Sequence, residues 1–156
     1  MSLETDFAMT RESLKGVQDE STYGGITSFM RRRYTRDLTG VDVAVLGVPF
    51  DLATTNRSGT RLGPRGIRTA SASLAWENQV QGWDFSPLEE LAIVDYGDCP
   101  FDAGTPEKVP EQIYQQAKAI LATDTALLSM GGDHFVSYPL LRAHAEKYGP
   151  LALIHF

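Results

Sequence analysis

Apolar residues fall along this chain in short blocks whose period switches back and forth. Val41-Asp42-Val43-Ala44-Val45-Leu46-Gly47-Val48 is almost continuously apolar, the pattern of a strand covered on both faces. Pro49 ends it, because proline cannot donate to a ladder. Two further blocks predict strands, Leu91 to Asp95 and Ala126 to Met130, and Leu151 to Phe156 begins a fourth. Between them the period lengthens. Pro64 fits a first helical turn, and Ile67, Ala70, Ser71 and Leu74 follow on one face, with Trp76 near its end. Thr105-Pro106-Glu107 reads as cap, first turn and acid at a helix start, and Val109, Ile113, Ala117, Ile120 and Leu121 form the buried stripe behind it. Glu111, Gln115 and Lys118 belong to its wet face. A last helix opens at Tyr138-Pro139, buries Leu140, Leu141, Ala143 or Ala145, and Tyr148, and closes at Gly149-Pro150. Strand-loop-helix, strand-helix, strand-helix, strand is the order of an α/β protein: a three-layer α-β-α fold around a doubly wound parallel sheet.

Three stretches lack a period. Residues 1–24 are polar and predict an arm or loosely packed lead-in. Arg31-Arg32-Arg33 is expected to be solvated or to touch a neighbouring subunit, rather than to bind an anion. Gln79 to Pro87 is an irregular link carrying Trp83 and Phe85. The connection from Asp51 to Gly63 is long for a strand-to-helix loop, and long loops in compact domains are often functional. Its glycines, Arg57 and Arg61 suggest a phosphate cradle, but the lysine and serine that end a P-loop are absent.

Composition narrows the class. A net charge of −6 argues against a general nucleic-acid or anionic-membrane binder. Cys99 is the only cysteine, which excludes an intrachain disulfide and a thiolate zinc cluster and suits a reducing compartment. No apolar run nears the ~20 residues of a membrane span. With an acidic start in place of a secretory signal, the expectation is a cytoplasmic protein.

The candidate chemistry lies at Ser129-Met130-Gly131-Gly132-Asp133-His134, where the third strand ends and a helix is about to begin. Open α/β sheets bind ligands at the carboxyl ends of their strands. His134 offers an imidazole, the commonest metal ligand, and Asp133 either coordinates or fixes that imidazole's tautomer. A turn of this composition also occurs with no ligand at all. Asp98, after Tyr96-Gly97 at the end of the second strand, is placed either in the same crevice or in a plain turn. His144, inside the last helix, reads as structural or exposed.

Taken together, the motifs resemble a family. Gly47-Val48-Pro49-Phe50-Asp51, the loop Asn56 to Pro64, Ile67-Arg68, Asp95-Tyr96-Gly97-Asp98, Gly131-Gly132-Asp133-His134 and Ile154-His155-Phe156 are similar, in this order, to the ureohydrolases, the arginase and agmatinase family. Ser73-Leu74-Ala75-Trp76-Glu77 and Gly132 to Val136 look most like the agmatinases. The resemblance covers residues 25–156 and implies an arginase-like fold, incomplete at the C-terminus. Those residues would be the amino-terminal half of a single domain.

The same resemblance implies two Mn²⁺ ions whose bridging hydroxide hydrolyses a guanidino compound. The expected reaction is agmatine to putrescine and urea, with guanidinobutyrate or arginine as alternative substrates. It also implies a homo-oligomer, trimeric or hexameric, whose partner is the small guanidino substrate and neither nucleic acid nor membrane. His134 matches the family's first metal-binding histidine. Asp133, His155, Asn56 and Asp98 are candidates for touching substrate or supporting the metal ligand, and Asn56 and Arg61 for positioning. The family's later Asp-Ala-His-x-Asp and Asp-x-Asp ligands are not present, so no catalytic residue is assigned in this half. By itself the 156-residue chain is then expected to be a non-catalytic fragment that aggregates.

Overall fold

A computed structural model describes residues 5–17, 20–77, 80–102 and 104–156. Residues 1–4, 18 and 19 of the expected arm, and Gln79 at the start of the expected link, lie outside the described residues. Four parallel strands form the sheet: β1 (Arg33–Tyr34), β2 (Val43–Val48), β3 (Ile93–Asp98) and β4 (Ala126–Gly131). Their spatial order is β1-β3-β2-β4. The helices are α1 (Phe7–Thr10), α2 (Gly63–Ser71), α3 (Pro87–Glu90), α4 (Val109–Leu121) and α5 (Ser137–Tyr148). The sheet divides the core in two. On one face Ala44, Leu46, Val48 and Val94 pack with Val109, Ile113, Ala117 and Ile120 of α4 and with Leu140 and Ala143 of α5. On the other, Val45, Ile93 and Met130 pack with Leu88 of α3 and with Phe29 and Met30. This is the doubly wound arrangement that the alternating sequence predicts. Burial of each large α4 side chain contributes ~1.5–3 kcal/mol, so α4 anchors its face.

The sheet's fourth strand is not the expected one. Among the described residues Leu151 to Phe156 joins no strand and is exposed, whereas Arg33–Tyr34 adds to β3 in register with Val94 and Asp95. An apolar run forms a strand only where a neighbour takes its hydrogen bonds, and Leu151 to Phe156 has no such neighbour among the described residues. The second strand also starts later than expected, at Ile93, and runs on to Asp98. In α5, Leu140 and Ala143 are buried as predicted, but Leu141 and Tyr148 are exposed. Thr105 sits at the predicted cap position with no side-chain bond to the helix start.

Helix α2 turns a different face inward from the predicted one. Of the predicted face Ser71 is buried, but Ile67, Ala70 and, just past the helix, Leu74 are exposed; Pro64, Arg68, Ala72 and Ala75 are buried beside Ser71. That spacing is still helical. What rotates it is charge: the Arg68 guanidinium reaches the fully buried Asp95 with two hydrogen bonds, Nε to Oδ2 at 2.7 Å and Nη2 to Oδ1 at 2.9 Å. Its Nη1 donates to Asp98 Oδ1 at 2.7 Å.

The arginine run corrects another expectation. Arg33 is exposed, but Arg31 and Arg32 are among the most deeply buried side chains, at 1% and 0% exposure. Arg31 pairs with buried Glu20 at 3.4 Å and donates to the carbonyls of Ser21 and Ile26. Arg32 donates to the carbonyls of Met30 and Gly16. Desolvation lowers the Arg32 pKa to about 10. Met30 and Arg31 hold left-handed backbone, φ 47° and 54°, at a cost of ~1–2 kcal/mol each. Met30 N–H donating to Ser71 Oγ and Phe29 N–H to Asp95 Oδ2, both at 2.8 Å, hold that segment against α2 and β3. Glu20 accepts from Thr5 Oγ1 and from the N–H groups of Asp6 and Phe7, and its carbonyl accepts from Trp76 Nε1. The lead-in is thus fastened to the domain through buried charge.

Candidate functional site at the strand ends

β2 and β4 run in register to Val48 and Gly131, so the segments that leave them lie side by side. The pairing continues past the sheet. Gly132 N–H donates to Val48 O at 3.2 Å and Asp133 N–H to Phe50 O at 2.8 Å. The approach is so close that a Cβ at residue 132 would overlap the carbonyl oxygens of Phe50 and Val48, so the second glycine of the motif is required by space.

Asp133 follows, 7% exposed. Its Oδ1 accepts the Phe135 N–H at 3.0 Å, capping a short 3₁₀ turn over His134–Val136. Its Oδ2 accepts the Ala53 N–H at 2.9 Å, across the gap to the long loop. His134 is the first residue of that turn and is exposed. Its ring stacks on His155 with centroids 5.6 Å apart and planes at 22°. Both line a cleft of about 430 Å³ together with Ser137, Leu140, His144 and Leu153. His144 Nδ1 lies 2.8 Å from the Leu140 carbonyl, which can only accept, so Nδ1–H is the donor of that bond.

The loop from Asp51 to Gly63 has a carboxylate at its centre. The Asp51 side chain has no exposure and gathers Gly59 N–H at 2.6 Å, Arg61 N–H at 3.3 Å and Arg61 Nε at 2.6 Å, with Arg61 Nη2 at 2.5 Å. The Arg61 guanidinium, chiefly, holds the Asp51 pKa down at about 2, with the two backbone donors adding to it against desolvation. Asn56 is exposed on the outer stretch of this loop. Asp98 is half-exposed and engaged with Arg68; no described contact joins it to His134. Burial lowers the Arg68 pKa, and the hydrogen bonds to Asp95 and Asp98 more than offset that, leaving it above its usual value. Of the residues singled out in the sequence, the structure therefore brings His134 and His155 together, ties Asp133 to the loop base, and leaves Asp98 in a separate network.

Two buried carboxylates, Asp51 and Asp95, escaped the sequence reading as centres of interaction. Each had a signal. Asp95 is an acid inside the apolar run Ala92-Ile93-Val94, which demands a buried donor. Asp51 follows directly on the strand-ending Val48-Pro49-Phe50.

The metal pair implied by the resemblance needs several convergent donors. Among the described residues no group of three or more histidine, cysteine, aspartate or glutamate side chains could hold an ion. His134 supplies one exposed donor. The residues in hand do not by themselves fit a two-metal centre.

Comparison with known proteins agrees with the fold. An agmatinase of Chromobacterium violaceum is 57% identical over 152 residues, covering 97% of this chain and 47% of that protein. An agmatinase of Photorhabdus laumondii is 40% identical, covering 95% and 49%. The crystal structure of a hypothetical agmatinase from Burkholderia thailandensis superposes with a TM-score of 0.93 at 55% identity, over 100% of this chain and 49% of that one. Proclavaminate amidino hydrolase from Streptomyces clavuligerus superposes at 0.72 with 33% identity, over 85% and 43%. The chain spans about half the length of these relatives. The family model described as arginase family matches residues 41–156. The chain belongs to the arginase family.

Proposed function

We propose that residues 25–156 are the amino-terminal half of a Mn²⁺-dependent guanidino hydrolase, acting on agmatine to release putrescine and urea. The observation that carries this reading is His134, exposed at the carboxyl end of β4 in a chain 57% identical to an agmatinase. In it, His134 provides one metal ligand and the other donors come from outside the described residues. Manganese would supply the activated water that such hydrolysis needs.

This chain's own contribution is placement. The Gly131–Gly132 turn sets His134 at the strand end, and the Asp51–Gly63 loop borders the mouth of the site, held close by the bond from Ala53 to Asp133. Asn56 and Arg61 then stand on the substrate or subunit side. Cytoplasmic location and homo-oligomeric assembly belong to the same reading.

Alternative guanidino substrates are separated by experiment. Urea release by the full-length protein with Mn²⁺ is measured on agmatine, arginine and guanidinobutyrate. The reading expects agmatine to have the highest kcat/KM; a higher value for another compound reassigns the substrate, and no urea from any of them refutes the activity.

A further inference from the structure

The carboxylate of Asp133 has two partners on two different elements. Oδ1 takes the Phe135 N–H and caps the turn that begins at His134. Oδ2 takes the Ala53 N–H, eighty residues away in sequence, at the base of the long loop. Both bonds are made by a carboxylate only 7% exposed, where a charge-assisted hydrogen bond is strong and an unmade one costly. Capping alone needs one oxygen, and serine or threonine does it as well. The second oxygen is spent on the loop.

The loop it holds has a defined shape of its own. Asp51 folds residues 59–61 back onto the loop's start through backbone donors from Gly59 and Arg61 and the Arg61 guanidinium. A loop closed on itself in this way moves as a piece, and its attachment decides where the piece sits. Among the described residues, one bond runs from Asp133 N–H to the O of Phe50 just before the loop, and another from Ala53 N–H to Asp133 Oδ2. The same residue thus makes both.

We propose that Asp133 is a positioning residue that fastens the 51–63 loop to the turn carrying His134, so that the rim of the site and the histidine beneath it keep one relative placement. The substrate half of this inference rests on the guanidino-hydrolase reading. The mechanical half does not.

Two variants of the full-length protein test it. Asp133→Ser keeps an N-cap for Phe135 but is too short to reach Ala53. Ala53→Pro removes the donor from the loop side and leaves Asp133 in place. In Asp133→Ser, with the amides of α4 still protected, Ala53 N–H should exchange about tenfold faster while Phe135 N–H is unchanged. In Ala53→Pro, the His134 ring proton signals should shift, and KM for the guanidino substrate should rise more than kcat falls. Unchanged Ala53 exchange in the first variant, or unchanged His134 signals in the second, overturns the coupling. An unchanged KM with both signals moved overturns the placement at the substrate rim. Wild-type protein that hydrolyses no guanidino compound sinks the functional reading, and the exchange and ring signals then decide the coupling alone.

Discussion

Replacing Arg68 by Met should cost more stability than any other single change of a charged side chain on α2. Arg68 is 8% exposed and bonds Asp95 with both Nε and Nη2, and Asp95 itself is wholly buried. Among the described residues, removing the cation leaves the Asp95 carboxylate with the Phe29 and Gly97 N–H groups. Breaking a buried pair from one side typically costs ~3–5 kcal/mol, because an uncompensated charge stays inside. Domains are stable by only ~5–15 kcal/mol, so much of the total would be lost. With a urea m-value of ~2 kcal/mol/M, the unfolding midpoint should fall by ~2 M. The Asp98 arm gives the contrast: that carboxylate is 46% exposed, so Asp98→Asn should cost at most ~1 kcal/mol. Asp95→Asn should cost less in the Arg68→Met background than in the wild type, with a coupling of ~1–3 kcal/mol. Urea unfolding of the wild type, the three single variants and the double variant measures this. A loss below ~1 kcal/mol in Arg68→Met with additive double-variant behaviour would show that the pair does not hold α2 to β3.

Other consequences are simpler. Gly132→Ala should destabilise by ~1–3 kcal/mol through overlap with the Phe50 and Val48 carbonyls. Gly66→Ala, where a Cβ meets nothing within 4 Å, should instead stabilise by ~0.4–1 kcal/mol, and thermal unfolding compares the two. The depressed Asp51 pKa makes its contribution fully present above the ordinary value of 3.8 and lost as pH falls through about 2. The stability difference between wild type and Asp51→Asn should therefore be constant above that ordinary value and shrink toward pH 2; a constant difference across the window contradicts the assignment. Cys99 is buried, and desolvation pushes its thiol up to about 12. Iodoacetamide at pH 8 should label it only after unfolding, and rapid labelling of the native protein would contradict that burial.

Elements whose stability is local or wholly apolar were legible in the sequence. β2 and β4 read as strands because their runs are almost continuously apolar, and the α4 stripe matched because Val109, Ile113, Ala117 and Ile120 bury one face. At the arginine run and on α2, distant charge decides what the local pattern misses. Arg31 and Arg32 read as solvated because their partners, Glu20 and the carbonyls of Gly16 and Ser21, come from a segment with no pattern. The face of α2 was misread because Ile67 and Leu74 are the apolar residues, whereas Asp95, twenty-seven positions on, pulls Arg68 inward. β1 is two residues long and exists only against β3. At the site, Gly131-Gly132-Asp133-His134 announced a strand-end turn from composition. That Asp133 would reach Ala53, and Asp51 reach Arg61, depends on how a long loop folds back, which no local period encodes.

The central claim is that His134 is a metal ligand of a guanidino hydrolase. Manganese content per subunit and urea release from agmatine, measured together on the full-length wild type and its His134→Ala variant, test it most directly. The account predicts bound manganese and urea production in the wild type, with His134→Ala losing one ion in preference to the other and most of its turnover. Full manganese content with undiminished urea release in His134→Ala would contradict it.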